Sequence, residues 1–211
     1  PDDALAAVSA GADAIGLNFH STSPRFLEPG AARVIAAVIP PGIDIVGVFV
    51  DRPAAFIRET AASVGLTAVQ LHGAEPPELL AEDLGAPRII KAFRWKSPAT
   101  CDDVQAWWNA APESRKPSAF LLDAPSVTLP GGAGVSWSWN WTADGTLVYP
   151  APIYLAGGLT PSNVAAAIGA RPPFAVDVAS GVESSPGRKS PELIADFIAA
   201  VRAAERRLTG R

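Results

Sequence analysis

A single cysteine, Cys101, and no methionine occur in the 211 residues. One thiol cannot form an internal disulfide, so packing and hydrogen bonds must hold the fold. No apolar run is long and uncharged enough to span a bilayer, and the first residues lack the charged-then-apolar order of a secretory signal. Basic residues are in deficit, with 17 Lys and Arg against 21 Asp and Glu, a formal net charge of −4. That balance gives no general attraction to nucleic acid or anionic membranes, so an anionic ligand needs a local pocket. The chain has no GxGxxG fingerprint, P-loop or nucleophile elbow, and no His/Cys/Glu cluster with metal-ligand spacing. These absences leave the expectation of a soluble, cytoplasmic protein with a small-molecule partner, no nucleic acid, no membrane and no metal. With Pro1 first and no methionine, two readings stay open: a removed initiator or a piece of a longer sequence.

What is present is 48% apolar residues, enough for one substantial core. Short β-branched runs recur at Ala14–Phe19, Ile45–Val50, Ala68–Leu71, Arg88–Phe93, Ala119–Leu122, Ile153–Ala156 and Phe174–Val178. They read as buried parallel strands. Helical apolar spacing lies between them, at Ala31–Val38, Ala54–Val64, Pro161–Ile168 and Pro191–Leu208, and a further helix, Asp2–Ser9, opens the chain. Strand–helix alternation admits an open doubly wound sheet or a closed barrel. The count favours an α/β (β/α)8 TIM barrel in a single domain, 1–211, with the first β-strand absent and expected before Pro1. One odd stretch, Trp137-Ser138-Trp139-Asn140-Trp141, has no Lys or Arg to hold a nucleic-acid backbone, and reads as core or pocket wall.

In such barrels the reactive face lies at the C-terminal ends of the strands. Ser23-Pro24-Arg25 presents a guanidinium on a rigid turn, suited to a carboxylate or phosphate, with a plain surface arginine as the competing reading. Asp123 ends an apolar strand, where partial burial favours a proton donor, and the long Pro125–Gly134 loop follows. Gly157-Gly158 joins a strand to a helix, and Ser180-Gly181 follows the next strand; together they match the position of an anion site in this fold. His72 reads as a hydrogen-bonded structural residue, and His20 lies at the same rim.

These residues, from Pro1 to about Arg202, resemble the phosphoribosylanthranilate isomerase family of tryptophan biosynthesis. Gly11-Ala12-Asp13-Ala14, Ser23-Pro24-Arg25-Phe26, Val69-Gln70-Leu71-His72-Gly73, Lys91-Ala92-Phe93, Leu121-Leu122-Asp123, Gly131-Gly132-Ala133-Gly134, Ala156-Gly157-Gly158-Leu159 and Asp177-Val178-Ala179-Ser180-Gly181-Val182-Glu183 stand in the family's order. The resemblance implies an Amadori rearrangement of N-(5'-phosphoribosyl)anthranilate to 1-(2-carboxyphenylamino)-1-deoxyribulose 5-phosphate, without a cofactor. It implies Asp123 as general acid, Arg25 near the anthranilate, Gly157, Gly158, Ser180 and Gly181 as phosphate loops, and Asp177 as a polar pocket residue. It also implies a phosphosugar as partner, with fusion to or association with other tryptophan-pathway enzymes left open. Two departures stand out. The family's general base is a cysteine in a Lys-x-Cys-Gly strand that has no counterpart here, and Cys101, expected to open a helix beside acidic neighbours, does not inherit its role. Val135–Trp139 departs from the family's usual run after the glycines. The alternative is a non-catalytic phosphosugar-binding barrel that has lost its general base.

Overall fold

The computed structural model describes residues 1–97, 99–124 and 149–210. The Pro125–Gly134 loop, with its Gly131–Gly134 run, the Val135–Trp139 departure and the tryptophan-rich stretch lie outside the described residues. Seven parallel strands form one sheet in chain order. They are β1 (Ala14–Asn18), β2 (Asp44–Phe49), β3 (Ala68–Leu71), β4 (Arg88–Arg94), β5 (Ala119–Asp123), β6 (Ile153–Ala156) and β7 (Ala175–Val176). All seven coincide with the apolar runs of the sequence; burial is continuous through β3 and the middle of β4 and β5, and alternates in β1.

Helices α1 (Asp2–Ala10), α2 (Pro29–Ala36), α3 (Ala54–Val64), α4 (Thr100–Ala110), α5 (Val164–Ala170) and α6 (Pro191–Thr209) cover the outside. Proline at the first turn of α2 and α6 sits where its missing N–H costs no bond, and Ser190 caps α6 by accepting from Leu193 N at 3.2 Å. The segment after β3 is a short 3-10 helix, Pro77–Ala81, not an α-helix. Two successive prolines there leave too few N–H donors for a full α-helical start. A small antiparallel hairpin, β8 (Glu183–Ser185) and β9 (Arg188–Lys189), follows β7.

The pleat sorts side chains into two layers. Leu17, Val69, Leu71, Ile89, Phe120 and Leu122 pack outward against α2, α3 and α4. Val46, Ala68, Ile90, Ala92, Ala119, Leu121 and Ala156 form the inner cluster. The inner residues are mostly small because the concave side of a tightly curled sheet has little room. Curvature is visible in the contacts. The loops after β1 and β7, on strands six steps apart and therefore roughly 29 Å apart in a flat sheet, touch through Arg25 and Glu183 at 2.6 Å. Helix α1, before β1, likewise packs on α6, after β7, and Arg202 of α6 donates to Asp13 at 2.9 Å.

Candidate active site

The parity that sends alanines inward also carries polar groups inward at the strand ends. His72 continues the inner row of Ala68 and Gln70, Arg94 that of Ile90 and Ala92, Asp123 that of Ala119 and Leu121, and Asp177 that of Ala175. The four line one cavity of about 250 Å³ together with Gly157, Gly158, Ser180 and Gly181. Six of the seven site residues expected from the sequence are thereby brought together. The seventh, Arg25, stands outside this lining.

On the acid side, β3 and β5 are two strands apart, yet His72 Nε2 lies 3.2 Å from Asp123 Oδ2. The Gln70 amide donates to His72 Nδ1 at 2.8 Å. With Nδ1 accepting, the ring proton sits on Nε2 and points at the carboxylate. Gln70 is 5% exposed, so the relay is anchored in the sheet. Asp177 is crowded by the pocket walls while its mouth side meets water. Burial pushes its carboxyl above the ordinary carboxylate range, reinforced by the charge of Asp123 and opposed by that of Lys189.

The loop carrying His72 is held from below. Glu75 accepts from Gly73 N at 3.0 Å, from Asp51 N at 2.9 Å and from Lys91 Nζ at 2.8 Å, and Lys91 also donates to Gly73 O at 2.7 Å. Both charged side chains are only 2% exposed, so each is the other's necessary compensation.

The rest of the lining is largely loop. Gly157 has φ 86°, and a Cβ there would collide with the carbonyl oxygen of Ala124; at Gly181 it would collide with that of Leu159. Both glycines are therefore demanded first by the packing of neighbouring loops, and that same packing exposes their backbone to the cavity. Asn163 fixes the turn after them, accepting from Thr160 N at 2.8 Å and donating to Gly158 O at 2.9 Å. The helix expected from Pro161 begins later, at Val164, because this turn occupies the intervening residues.

Arg25 is engaged elsewhere. Its Nε and Nη2 donate to the two oxygens of Glu183, each at 2.6 Å. Cys101 lies in the first turn of α4, buried, 3.0 Å from the Tyr149 hydroxyl and outside the cavity lining. Burial pushes its thiol up, against the pull of Tyr149, which is the reverse of what a nucleophile or base at neutral pH needs. Among the described residues no group of His, Cys, Asp or Glu could hold a metal, and no helix is long and apolar enough to cross a membrane.

Sequence reasoning set His72 aside as structural and passed over Arg94; both line the cavity. The signal was the pleat itself, since both share parity with Asp123 at neighbouring strand ends.

The family model described as N-(5'phosphoribosyl)anthranilate (PRA) isomerase matches residues 1–200. The chain is 45% identical over 197 residues to the N-(5'-phosphoribosyl)anthranilate isomerase of Geobacter sulfurreducens, covering 93% of this chain and 91% of the relative. It is 43% identical over 200 residues to that of Myxococcus xanthus, covering 95% and 91%. A crystal structure of phosphoribosyl anthranilate isomerase in complex with reduced 1-(o-carboxyphenylamino)-1-deoxyribulose 5-phosphate superposes with a TM-score of 0.81 at 34% identity, covering 96% of this chain and 93% of that one. The Thermotoga maritima structure gives 0.80 at 36% identity, covering 96% and 94%. Together with the strand-end acid and the glycine-built wall, these likenesses establish that the chain belongs to the N-(5'-phosphoribosyl)anthranilate isomerase family.

Proposed function

We propose that this chain carries out the family's reaction, the Amadori rearrangement of N-(5'-phosphoribosyl)anthranilate to 1-(2-carboxyphenylamino)-1-deoxyribulose 5-phosphate. The observation that carries the reading is that Asp123, on the His72 relay, lines one cavity together with Gly157, Gly158, Ser180 and Gly181. The glycine loops take the phosphate through backbone N–H groups. Asp123 gives its proton to the ribose ring oxygen as the bond from that oxygen to C1' breaks and the anthranilate nitrogen lone pair forms the imine. A base then removes the proton on C2', and the resulting enolamine becomes the ketone as its C2' hydroxyl gives up a proton and C1' takes one. His72 orients Asp123, while Asp177 lines the sugar side.

The base in the family is a first-strand cysteine, and Cys101 is no substitute. The same proposal therefore includes closure of the sheet between β1 and β7 by a further strand, with 1–211 as a single domain that supplies seven strands of the eight-stranded barrel. Among the described residues no strand pairs with the outer edge of β1 or β7, and their loops meet, which supports it. A cytoplasmic place, and association with or fusion to other tryptophan-pathway enzymes, complete the proposal; cell fractionation and co-purification test them.

The test is turnover of phosphoribosylanthranilate, followed as loss of substrate, in the unaltered chain, in a chain extended by a Lys-x-Cys-Gly strand, and in each with Asp123→Asn. Turnover that needs Asp123 is expected. Tight binding of the substrate with no turnover in either form would instead leave a phosphosugar-binding protein.

A further inference from the structure

Arg25 is the one expected site residue that the cavity does not contain, and its surroundings are unusually complete. Its Nε–Nη2 edge is taken by both oxygens of Glu183. Lys189 Nζ donates to the same carboxylate at 3.1 Å and to Ala179 O at 2.7 Å. Glu183 is 4% exposed on its side chain while Arg25 is 29% exposed. The carboxylate is thus interior and the guanidinium reaches outward past it.

The hairpin that carries Glu183 is shaped for this contact. Glu183 and Lys189 are cross-strand partners of β8 and β9. At the turn, a side chain on Gly187 would come within 2.8 Å of Pro24 O, so the hairpin lies flush on the Ser23–Pro24 turn that precedes Arg25. Burial works to raise the Glu183 carboxyl, but its hydrogen bonds from Arg25 and Lys189 outweigh it and hold it down to about 2.

From this geometry we infer that Glu183 and Lys189 are positioning residues for substrate recognition: Glu183 fixes the direction of Arg25, and Lys189 sets its free charge. The inference rests on the proposed function and on the role that the family resemblance implies for Arg25, near the anthranilate end of the substrate. A guanidinium pinned along one edge presents its remaining Nη1 face in one direction, so little side-chain entropy is lost when a carboxylate arrives. Charge completes the argument. Arg25 with Glu183 alone would be neutral, whereas the second cation leaves the trio with one net positive charge at the rim. The neutral pair would orient without attracting; the trio does both.

The experiment compares Arg25→Ala, Glu183→Gln and Lys189→Met with the unaltered enzyme. It measures KM and kcat for phosphoribosylanthranilate, calorimetric affinity for reduced 1-(o-carboxyphenylamino)-1-deoxyribulose 5-phosphate, affinity for inorganic phosphate, and Tm. Glu183→Gln should raise KM roughly tenfold, as loss of one charge-assisted contact does, and weaken the aromatic analogue equally. Its kcat and phosphate affinity should hold. Lys189→Met should act in the same direction and more weakly. If Arg25→Ala raises KM but the other two change only Tm, the trio is a structural staple and the inference falls while the proposed function stands. Should Glu183→Gln fail to fold, Lys189→Met decides by the same split. If Arg25→Ala leaves KM unchanged, or the unaltered chain binds neither ligand, the reading of Arg25 fails first and takes the inference with it.

Discussion

The two walls of the cavity are built from different materials. The acid wall, His72, Asp123 and Asp177, is made of side chains set at strand ends by pleat parity. The other, Gly157, Gly158, Ser180 and Gly181, is loop, with Gly157 and Gly181 set by loop-on-loop packing. A side-chain wall can lose its chemistry with its shape intact. A backbone wall cannot: whatever removes its function also moves the chain. The acid wall should therefore fail in kcat alone, and the glycine wall in affinity and stability together.

Asp123→Asn is the largest expected break. It keeps the shape and the contact with His72 but removes the transferable proton, so kcat should fall by about 10²- to 10⁴-fold. Thermal melting should stay within a degree or two of the unaltered chain, by rough scaling; a large drop in Tm would contradict the side-chain character of that wall. Gly181→Ala comes next. Its new methyl meets the Leu159 carbonyl, which must move, so stability should fall by about 2 kcal/mol or more, together with weaker phosphate binding. Urea unfolding and phosphate titration of the same sample check the coupling.

His72→Asn sharpens the comparison within the acid wall. The shorter amide cannot bridge Gln70 and Asp123, and losing that relay should lower kcat about five- to tenfold with KM little changed. A kcat loss as large as that of Asp123→Asn would promote His72 from orienting group to proton carrier.

The smallest effect concerns the rim. Glu183 in the fold is held down to about 2, below its unfolded value, so its ion pairs contribute stability above the ordinary carboxylate range. That contribution is lost as pH falls from about 4.3 toward the folded value. In Glu183→Gln the Tm should be lower at neutral pH, and the gap from the unaltered chain should shrink as pH falls through that window. A gap that stays constant would mean that the carboxylate charge contributes nothing there.

Much of this was legible without coordinates. The strand runs, the opening helix, Asp123 at its strand end and the paired glycine loops follow from local patterning, because burial on both faces and loop glycines each leave a mark within a few residues. The 3-10 helix after β3 and the late start of α5 were missed, since local prolines and the Asn163 turn overrode apolar spacing. His72 and Arg94 carried a signal in their parity with Asp123, but parity only acquires meaning once the register between strands is known.

The sequence by itself determined the order of strands and helices, the family, and the residue types at each strand end, all properties of short segments. Only the tertiary structure decided which of those residues meet. Curling brings His72 to Asp123 across an intervening strand, and Arg25 to Glu183 across 158 positions of sequence. It also buries Lys91 against Glu75 beneath the His72 loop, where neither residue type is expected without the other. Such contacts depend on the summed twist and stagger of seven strands, a global quantity that no local stretch of sequence encodes.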